Sequence, residues 1–224
     1  MADRVNPNDF VISRKRKKYK FALFHNNPLC FQAEEWAKRS IDVVELGAGT
    51  ALFLVELASR YPEREFVAID VKADRLQKGA YEAVARKLDN ISFVRARADQ
   101  LDQLVPAHSV TSLWLTFPDP FPRDRSANRR MTHPKFLTIY KNLLRPEGSL
   151  LLKHDNRDFF EWSIEQLKNE KWKIIEQSSD LHKSDLSDDY KIKTTYEIRW
   201  LDKGLVTNIL NAVVSDFRAN KSDS

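Results

Sequence analysis

Short runs rich in β-branched residues alternate with longer amphipathic stretches from residue 41 onward. This alternation is typical of a parallel sheet, because each strand needs a helical crossover to return the chain to the same edge. Strands are predicted at Ile41–Leu46, Glu65–Asp70, Ile91–Ala96, Val110–Thr116, Ser149–His154, Trp172–Gln177 and Thr195–Trp200. Helices are predicted near Leu52–Tyr61, Ala73–Leu88, Pro134–Leu144, Arg157–Lys168 and Lys203–Phe217. We therefore expect a single Rossmann-like α/β domain, with a seven-stranded, mostly parallel sheet and helices on both faces.

No Gly/Ser-rich linker or internal repeat divides this body. We expect a basic, partly flexible N-terminal extension at residues 1–40, one domain at 41–218 and a frayed tail at 219–224. The single cysteine, Cys30, excludes a disulfide scaffold. No apolar run approaches the roughly 20 residues that cross a bilayer, and the polar N-terminus lacks the apolar segment of a signal peptide. A cytoplasmic protein without a membrane partner is therefore expected.

The excess positive charge lies at the N-terminus. Of the net charge of +5, all comes from residues 1–40, which hold nine Lys/Arg against four Asp/Glu, whereas the remainder holds 28 of each. A polyanionic backbone suits this basic run with its neighbouring aromatic residues, but a solvated tail or a targeting signal explains it equally well. The run consists of Arg14, Lys15, Arg16, Lys17, Lys18, Tyr19 and Lys20.

A glycine-containing turn follows the first predicted strand. Gly47 and Gly49 let the backbone approach a ligand closely, so both are predicted to contact a cofactor. Leu52 occupies the position of the third glycine in a dinucleotide fingerprint, which disfavours nicotinamide and flavin cofactors. The carboxylate of Glu45 at the mouth of this strand suits the ammonium and sulfonium of S-adenosylmethionine, with a helix-dipole partner as the alternative.

Acidic residues also follow the next two predicted strands. Asp70 ends the second strand, 21 residues after Gly49, where an acid accepts the ribose hydroxyls of an adenosine-containing cofactor. Asp99 follows the third strand, where it would meet the adenine amino group or cap the following helix. Because the carboxyl ends of parallel strands share one edge, Glu45, Asp70 and Asp99 are expected to line one crevice.

The most distinctive segment is Phe117-Pro118-Asp119-Pro120-Phe121-Pro122, directly after a strand predicted to be buried. Its prolines stiffen the loop, so that Asp119 would project beside a cofactor, between aromatic faces that suit a planar base. A solvated proline-rich turn is the alternative. Four arginines follow, and their guanidinium groups suit phosphates. They are Arg123, Arg125, Arg129 and Arg130.

Over about residues 41–204 the chain resembles the tRNA (guanine-N7)-methyltransferases, which are class I, S-adenosylmethionine-dependent enzymes. The resemblance is most specific in residues 117–122, followed by Arg129-Arg130 and by His133-Pro134-Lys135-Phe136-Leu137. Supporting matches are Glu45-Leu46-Gly47-Ala48-Gly49, Lys153-His154-Asp155 and Thr194-Thr195-Tyr196-Glu197.

The resemblance implies cofactor contacts from Glu45, Asp70, Asp99 and Asp119, with Asp119 also the catalytic residue. It further implies substrate contacts from Arg123, Asp155, Thr194, Thr195, Tyr196 and Glu197, and RNA contacts from the stretch that contains Arg125, Arg129 and Arg130. Some positions depart from the family pattern. Ala51 replaces a glycine, Phe121 a tryptophan and Arg123 a lysine, while Ser126-Ala127-Asn128 replaces a more basic run. The weaker run makes tRNA affinity more dependent on Arg14–Lys20.

The implied reaction is methyl transfer from S-adenosylmethionine to N7 of a guanine in tRNA. Guanine N7 carries a lone pair and no proton, so no general base is needed and positioning should dominate. Asp119 would stabilise the developing cation or accept hydrogen bonds from the guanine N1 and N2 edge. No metal is expected, because the displacement needs none and the five histidines show no ligand spacing.

Two alternatives remain open at this stage. The first is an RNA exocyclic-amine methyltransferase, in which Asp119-Pro120-Phe121 would be the Asp-Pro-Pro-Tyr-like motif. An aspartate preceded by a proline, here Pro118, fits that motif less well. A non-catalytic RNA-binding protein on the same fold is supported only by Ala51, and the retained Glu45, Asp70 and Asp99 count against it. The sequence does not determine whether the chain acts as a monomer or a homodimer.

Overall fold

The computed structural model describes residues 4–12 and 15–214. Within these ranges the strands are β1 (Cys30–Gln32), β2 (Val43–Leu46), β3 (Phe66–Asp70), β4 (Ile91–Arg95), β5 (Val110–Thr116), β6 (Leu144–His154), β7 (Trp172–Ser178) and β8 (Asn208–Val214). The α-helices are α1 (Lys15–His25), α2 (Leu52–Arg60), α3 (Ala73–Ala85), α4 (Leu101–Leu104), α5 (Pro134–Leu143), α6 (Arg157–Asn169) and α7 (Thr195–Leu201).

The strands form one sheet in the order β1-β4-β3-β2-β5-β6-β8-β7. All pairs from β1 to β6 are parallel, and only β8 pairs antiparallel, with β6 on one side and β7 on the other. The predicted Rossmann-like α/β fold is confirmed, with eight strands in the described residues instead of seven. The central strands β2 to β5 are short, apolar and buried because helices cover both of their faces.

Two apolar layers pack on the sheet, one on each face. The first contains Leu101 of α4, Leu137 of α5 and Phe160 of α6. The second contains Leu54 of α2 and Leu76 of α3, together with the buried face of α1. This three-layer arrangement fixes the carboxyl ends of β2, β3, β4 and β5 along one edge, where crossover loops are free to carry ligand-binding residues.

Two predicted elements near the C-terminus are wrong. Residues 195–200 form the helix α7 and not a strand, because Thr194 and Glu197 cap each other's backbone amides in a capping box that starts a helix. Residues 208–214 of the helix predicted at 203–217 form the strand β8, which is buried between β6 and β7. The remainder of that predicted helix beyond residue 214, like the predicted tail at 219–224, lies outside the described residues.

Part of the predicted N-terminal extension is folded onto the body. Helix α1 packs against α3, and Phe24 on α1 is almost fully buried. Strand β1 adds to the sheet edge beside β4. Neither element was predicted, since α1 was interpreted as a basic run and β1 is only three residues long. The division of the chain at residue 41 stays a prediction. Among the described helices none has the length and apolar character that a membrane crossing requires.

Candidate active site

A cavity of about 500 Å³ opens at the carboxyl edge of the sheet. Its walls come from the ends of β2 and β5, the start of α2, one residue of α3 and the first turns of α7. A smaller cavity of about 140 Å³ lies beside it along β3 and β4. The two cavities share Gly47, Arg75, Phe117 and Asp119 in their walls, so they form one continuous crevice.

Glu45 lies at the floor of the larger cavity and is only 1% exposed. Thr116 Oγ1 on the neighbouring strand donates a hydrogen bond to Glu45 Oε1 at 2.6 Å. Glu45 Oε2 is buried and has no hydrogen-bond partner among the described residues. Burial raises the pKa of Glu45 to about 8, although the Thr116 hydrogen bond and the charge of Lys153 act in the opposite direction. This oxygen is therefore available to a hydrogen-bond donor or a cation of a ligand.

The turn after β2 depends on left-handed backbone conformations. Gly47 and Gly49 have φ angles of 72° and 56°, which glycine adopts without strain. A Cβ atom at Gly49 would meet nothing within 4 Å, so the backbone here faces open space. Ala51 also has a positive φ, of 53°, at the position where the family has a glycine. The departure at Ala51 thus retains the backbone conformation at a cost of about 1 kcal/mol.

Asp70 and Asp99 have different surroundings. Asp70 lines the smaller cavity, and its carboxylate accepts hydrogen bonds from the amides of Gly49 and Lys72, each at 2.8 Å. It therefore holds the glycine turn while retaining lone pairs for a ligand. Asp99 is exposed, is not part of either cavity wall and forms a bidentate pair with Arg97 at 2.9 Å. The structure brings Glu45 and Asp70 into one crevice, but it leaves the Asp99 carboxylate outside.

The loop after β5 is strained and firmly held. Phe117 and Phe121 have φ angles of 51° and 41°, which cost bulky residues about 1 kcal/mol or more each. Arg130 is only 8% exposed, and its guanidinium donates to the carbonyls of Pro120 and Phe121 at 3.1 to 3.3 Å. It also lies 4.4 Å from the ring centroid of Trp162. The geometry thus gives Arg130 a structural role, and its predicted RNA contact stays a prediction.

A second contact holds the same loop from β6. His154 Nδ1 accepts a hydrogen bond from the Asn156 amide at 2.8 Å, which leaves Nε2 to donate to the Pro118 carbonyl at 2.9 Å. Together with Arg130, this histidine fixes carbonyl groups on both sides of Asp119. The Asp119 carboxylate itself is exposed at the junction of the two cavities, and in the described part of the chain it makes no hydrogen bond or ion pair.

The remaining loop arginines point to solvent. Arg123 and Arg125 are exposed, and Arg129 lies over the ring of Phe121 at 4.4 Å. Their guanidinium groups are thus available to a partner outside the chain. At the N-terminus, Arg14 lies outside the described residues, and Lys15 and Arg16 belong to α1 without a description of their side chains. Lys17 is exposed and Lys18 is half-buried on the same helix.

Helix α7 is anchored by a buried ion pair that the sequence analysis did not identify. Lys153 is 0% exposed, and its Nζ lies 2.8 Å from Glu197 Oε2. Burial lowers the pKa of Lys153, while the charge of Glu197 opposes this shift. Glu197 also accepts hydrogen bonds from His182 Nε2 at 2.8 Å and Thr207 Oγ1 at 3.0 Å. Every side-chain oxygen of Glu197 is therefore used inside the protein.

The other residues at the start of α7 lie along the cavity. Thr194 caps the helix, and the hydroxyl of Thr195 lies 2.9 Å from that of Thr50. Tyr196 packs against Phe117, and its hydroxyl donates to Asp155 Oδ2 at 2.9 Å. Burial and this hydrogen bond raise the pKa of Tyr196 to about 12. Burial acts to raise the pKa of Asp155, but its contacts with His154 and Tyr196 outweigh this effect and lower that pKa.

Four residues that line or support the cavity were not predicted from the sequence, namely Thr116, Lys153, Arg75 and Arg199. Thr116 was assigned only to a strand, and Lys153 was quoted only as part of a matching motif. Lys153 follows Leu151 by two residues in a run of β6 that is buried on both faces, so the period of two along a strand places Lys153 on the same buried face as Leu151, a signal that was present in the sequence. Arg75 and Arg199 sit on helices whose relative placement only the folded chain reveals.

Comparisons with known proteins identify relatives of this chain. A family model described as "Putative methyltransferase" matches residues 39–208. The tRNA (guanine-N(7)-)-methyltransferase of Brevibacillus brevis is 32% identical over 187 residues, which cover 82% of this chain and 87% of the relative. The enzyme of the same name from Mesomycoplasma hyopneumoniae is 38% identical over 172 residues, which cover 76% of this chain and 84% of the relative.

Solved structures support the fold. The 16S rRNA methyltransferase KamB superposes with a TM-score of 0.60 at 17% identity, covering 82% of this chain and 90% of that chain. A SAM-dependent methyltransferase from Aquifex aeolicus superposes with a TM-score of 0.53 at 14% identity, covering 78% and 82%. At such identities the superpositions show only a shared architecture. The sequence relatives carry the assignment further, and the chain belongs to the tRNA (guanine-N7)-methyltransferase family.

Proposed function

We propose that the protein transfers the methyl group of S-adenosylmethionine to N7 of a guanine in tRNA. The observation that carries this proposal is the buried, unpartnered Oε2 atom of Glu45, which faces a crevice that also exposes Asp119. A buried carboxyl at the floor fits a cationic cofactor once it has lost its proton, and an exposed carboxylate on the wall fits a base that becomes cationic.

The residues around the crevice fit S-adenosylmethionine in character. When bound, this cofactor supplies a methyl group on a positively charged sulfur. Glu45 and Asp119 would favour its positive groups, and the open backbone at Gly49 leaves room for it. Asp70 keeps the glycine turn in place through the Gly49 amide and has lone pairs left for ribose hydroxyls. Asp99 lies outside both cavity walls, so it would contribute through its backbone or after its carboxylate separates from Arg97.

On the substrate side, the main task of the protein is to place guanine N7 in line with the methyl group. N7 needs no general base, so a rigid loop is more useful here than a titrating residue. Arg130 and His154 supply that rigidity by fixing the backbone on both sides of Asp119. Asp119 would then stabilise the charge that develops on the purine, or accept hydrogen bonds from its N1 and N2 edge.

Exposed basic residues would hold the rest of the tRNA. Arg123, Arg125 and Arg129 lie on the loop that carries Asp119, and Lys17 and Lys18 belong to α1. Guanidinium and ammonium groups with solvent access neutralise backbone phosphates without reading sequence. Substrate contacts from Asp155, Thr195 and Tyr196 belong to this proposal, as do a metal-free reaction and a cytoplasmic location. Transfer to an exocyclic amine and a non-catalytic role are not favoured, because the relatives are named for N7 transfer.

The proposal is tested by incubating the purified protein with unmodified tRNA transcripts and S-adenosylmethionine, then digesting the RNA to nucleosides for mass spectrometry. N7-methylguanosine is the expected product. An amino-methylated nucleoside would favour the exocyclic alternative. The absence of any methylated nucleoside, together with no heat of S-adenosylmethionine binding in calorimetry, would favour a non-catalytic RNA-binding protein.

A further inference from the structure

Two arginines at the rim of the larger cavity have no partner within the described residues. Arg75 on α3 and Arg199 on α7 line this cavity and are exposed, yet neither side chain makes a hydrogen bond, ion pair or ring contact within the described residues. Other arginines near the crevice are engaged, since Arg130 binds carbonyls and Arg97 pairs with Asp99. Arg75 and Arg199 are thus two free guanidinium groups at one opening.

The helices that carry these two arginines, α3 and α7, both contact Thr50. Gly79 on α3 touches the Thr50 backbone, because a Cβ added at Gly79 would lie 2.6 Å from the Thr50 carbonyl oxygen. Thr195 on α7 touches the Thr50 side chain at 2.9 Å. Arg75 precedes Gly79 by four residues and Arg199 follows Thr195 by four, so each arginine lies one helical turn from its contact, on the same helix face.

The charges of the cavity are ordered from floor to rim. The floor holds the buried carboxyl of Glu45, the wall holds Asp119, and the rim holds Arg75 and Arg199. A ligand that fits this order places its cationic or uncharged part inside and an anionic group at the opening. A nucleotide whose base enters the crevice meets this condition, because its phosphate stays outside with the rest of the RNA.

We propose that Arg75 and Arg199 clamp the phosphate adjacent to the target guanosine. This inference rests on the proposed function, since it assumes that a guanine of tRNA enters the crevice. Guanidinium groups suit the role because their planar donors match phosphate oxygens in pairs. The clamp fixes the nucleotide from its backbone while the loop at 117–130 fixes its base. Neither arginine belongs to the basic loop or to the N-terminal run, so the clamp is a separate contact.

The test compares Arg75→Gln, Arg199→Gln and the double variant in the full-length protein, with unmodified tRNA transcripts as substrate. Each single variant should lower kcat/KM for tRNA about tenfold, the loss expected for one charge-assisted contact. The double variant should lose less than the product of the single losses, because both arginines contact one phosphate. The Kd for S-adenosylmethionine, measured by calorimetry, should stay within about twofold of the wild-type value.

A matched control is available at the opposite edge of the sheet. Arg145 is an exposed arginine near the start of β6, whereas the crevice lies at the strand ends. Arg145→Gln removes the same charge and should leave kcat/KM for tRNA unchanged. In salt titrations of tRNA binding, the double variant, which loses the phosphate contact completely, should reduce the slope of log affinity against log salt by about 0.7–0.9, and Arg145→Gln should not. Arg199→Lys should retain the wild-type slope but only part of the activity.

Three results would overturn the clamp. If Arg145→Gln lowers kcat/KM for tRNA by the same factor, the loss is explained by net charge alone. A tenfold weaker Kd for S-adenosylmethionine in the clamp variants would assign the arginines to the carboxylate of the cofactor. Wild-type kinetics in the double variant would show that no substrate phosphate reaches the rim. Failure of the proposed function gives a different result, because the wild-type protein itself would then yield no N7-methylguanosine. In that case the clamp proposal would also be wrong.

Discussion

The loop at residues 117–130 and the helix α7 border the same cavity, yet different chemistry holds them in place. The loop is held by donors from Arg130 and His154 to its own backbone carbonyls. Helix α7 is held through a side chain, because Glu197 forms a buried pair with Lys153. In the loop, the Asp119 carboxylate has no partner in the described chain and remains available to a ligand. In α7, the Glu197 carboxylate is occupied by contacts within the protein.

This difference shows that two acids in matching motifs need not share a role. Asp119 and Glu197 are both implied as site residues by the resemblance, but Asp119 is exposed and Glu197 is only 2% exposed. An acid whose four acceptor positions are filled by protein donors is a poor substrate ligand. We therefore expect substitutions of Glu197 to act mainly on stability and those of Asp119 mainly on turnover.

The largest effect is expected from breaking the buried pair. Lys153→Met leaves the Glu197 charge buried without its main partner and should lower the free energy of unfolding by about 3–5 kcal/mol. The double variant Lys153→Met, Glu197→Gln removes both charges and should lose less. Urea denaturation of the three proteins measures these values. Equal losses in the single and double variants would contradict the idea that the charge pair, and not packing, anchors α7.

The next effect concerns the free acid of the loop. Asp119→Asn should lower kcat for tRNA methylation by about 10²–10³-fold, the range found when one preorganised electrostatic group is removed. Its stability should change by less than about 0.5 kcal/mol, because the side chain is exposed. Asp124→Asn, an exposed acid five residues further along the same loop, serves as the matched control. Comparable losses of kcat in Asp119→Asn and Asp124→Asn would show that Asp119 has no specific role in methyl transfer.

Glu45 resembles Glu197 at one oxygen and Asp119 at the other. Its Oε1 accepts a hydrogen bond from Thr116, whereas its Oε2 has no partner among the described residues. Its pKa is raised to about 8, so the carboxyl must lose a proton to pair with a cation below that pH. The affinity for S-adenosylmethionine should therefore rise with pH up to about 8 and level off above it. Calorimetry in buffers of different ionisation enthalpy should detect proton release at pH 7.

The control for this experiment is Glu45→Gln, which should weaken cofactor binding by about 1–3 kcal/mol and abolish the Glu45-dependent proton release. If the wild-type protein and the variant release the same number of protons, another group titrates and Glu45 does not face the cofactor.

The smallest effect is expected from loosening the loop without removing charge. Arg130→Lys keeps the charge but loses the guanidinium group that donates to the carbonyls of Pro120 and Phe121. This loss should lower the free energy of unfolding by about 1 kcal/mol and lower kcat. The KM for S-adenosylmethionine should stay unchanged. Arg145→Lys is the matched control, because Arg145 is exposed and lies away from the crevice. Unfolding curves and initial rates decide the outcome, and an unchanged kcat in Arg130→Lys would show that the loop does not need this anchor.

The regular parts of the fold could be predicted from the sequence because their patterns are local. The buried runs of β2 to β5 and the strand-end acids Glu45 and Asp70 are visible as short apolar segments followed by a carboxylate. The C-terminal region could not be predicted in the same way. The apolar run of β8 fits a buried helix as well as a strand buried on both faces, and only its insertion between β6 and β7 decides.

The errors at the site have similar causes. The alternation in Thr195–Trp200 favoured a strand, although the capping box of Thr194 and Glu197 indicates a helix start. Burial of Arg130 and Lys153 depends on Trp162 and Glu197, which lie at least 32 residues away along the chain. Such long-range contacts determine whether a charged residue of a motif faces the ligand or the interior, and a single sequence does not encode them locally.

The position of β8 also bears on the order in which the molecule is assembled during synthesis. β6 and β7 leave the ribosome before β8, yet each of them pairs with β8 and not with the other. Until β8 arrives, β6 presents an open edge that is prone to pairing with other chains. The elements that carry Glu45 and Asp70 precede this point, whereas α7 directly precedes β8. A nascent chain therefore completes the crevice walls at β2 and β3 first and the wall formed by α7 last.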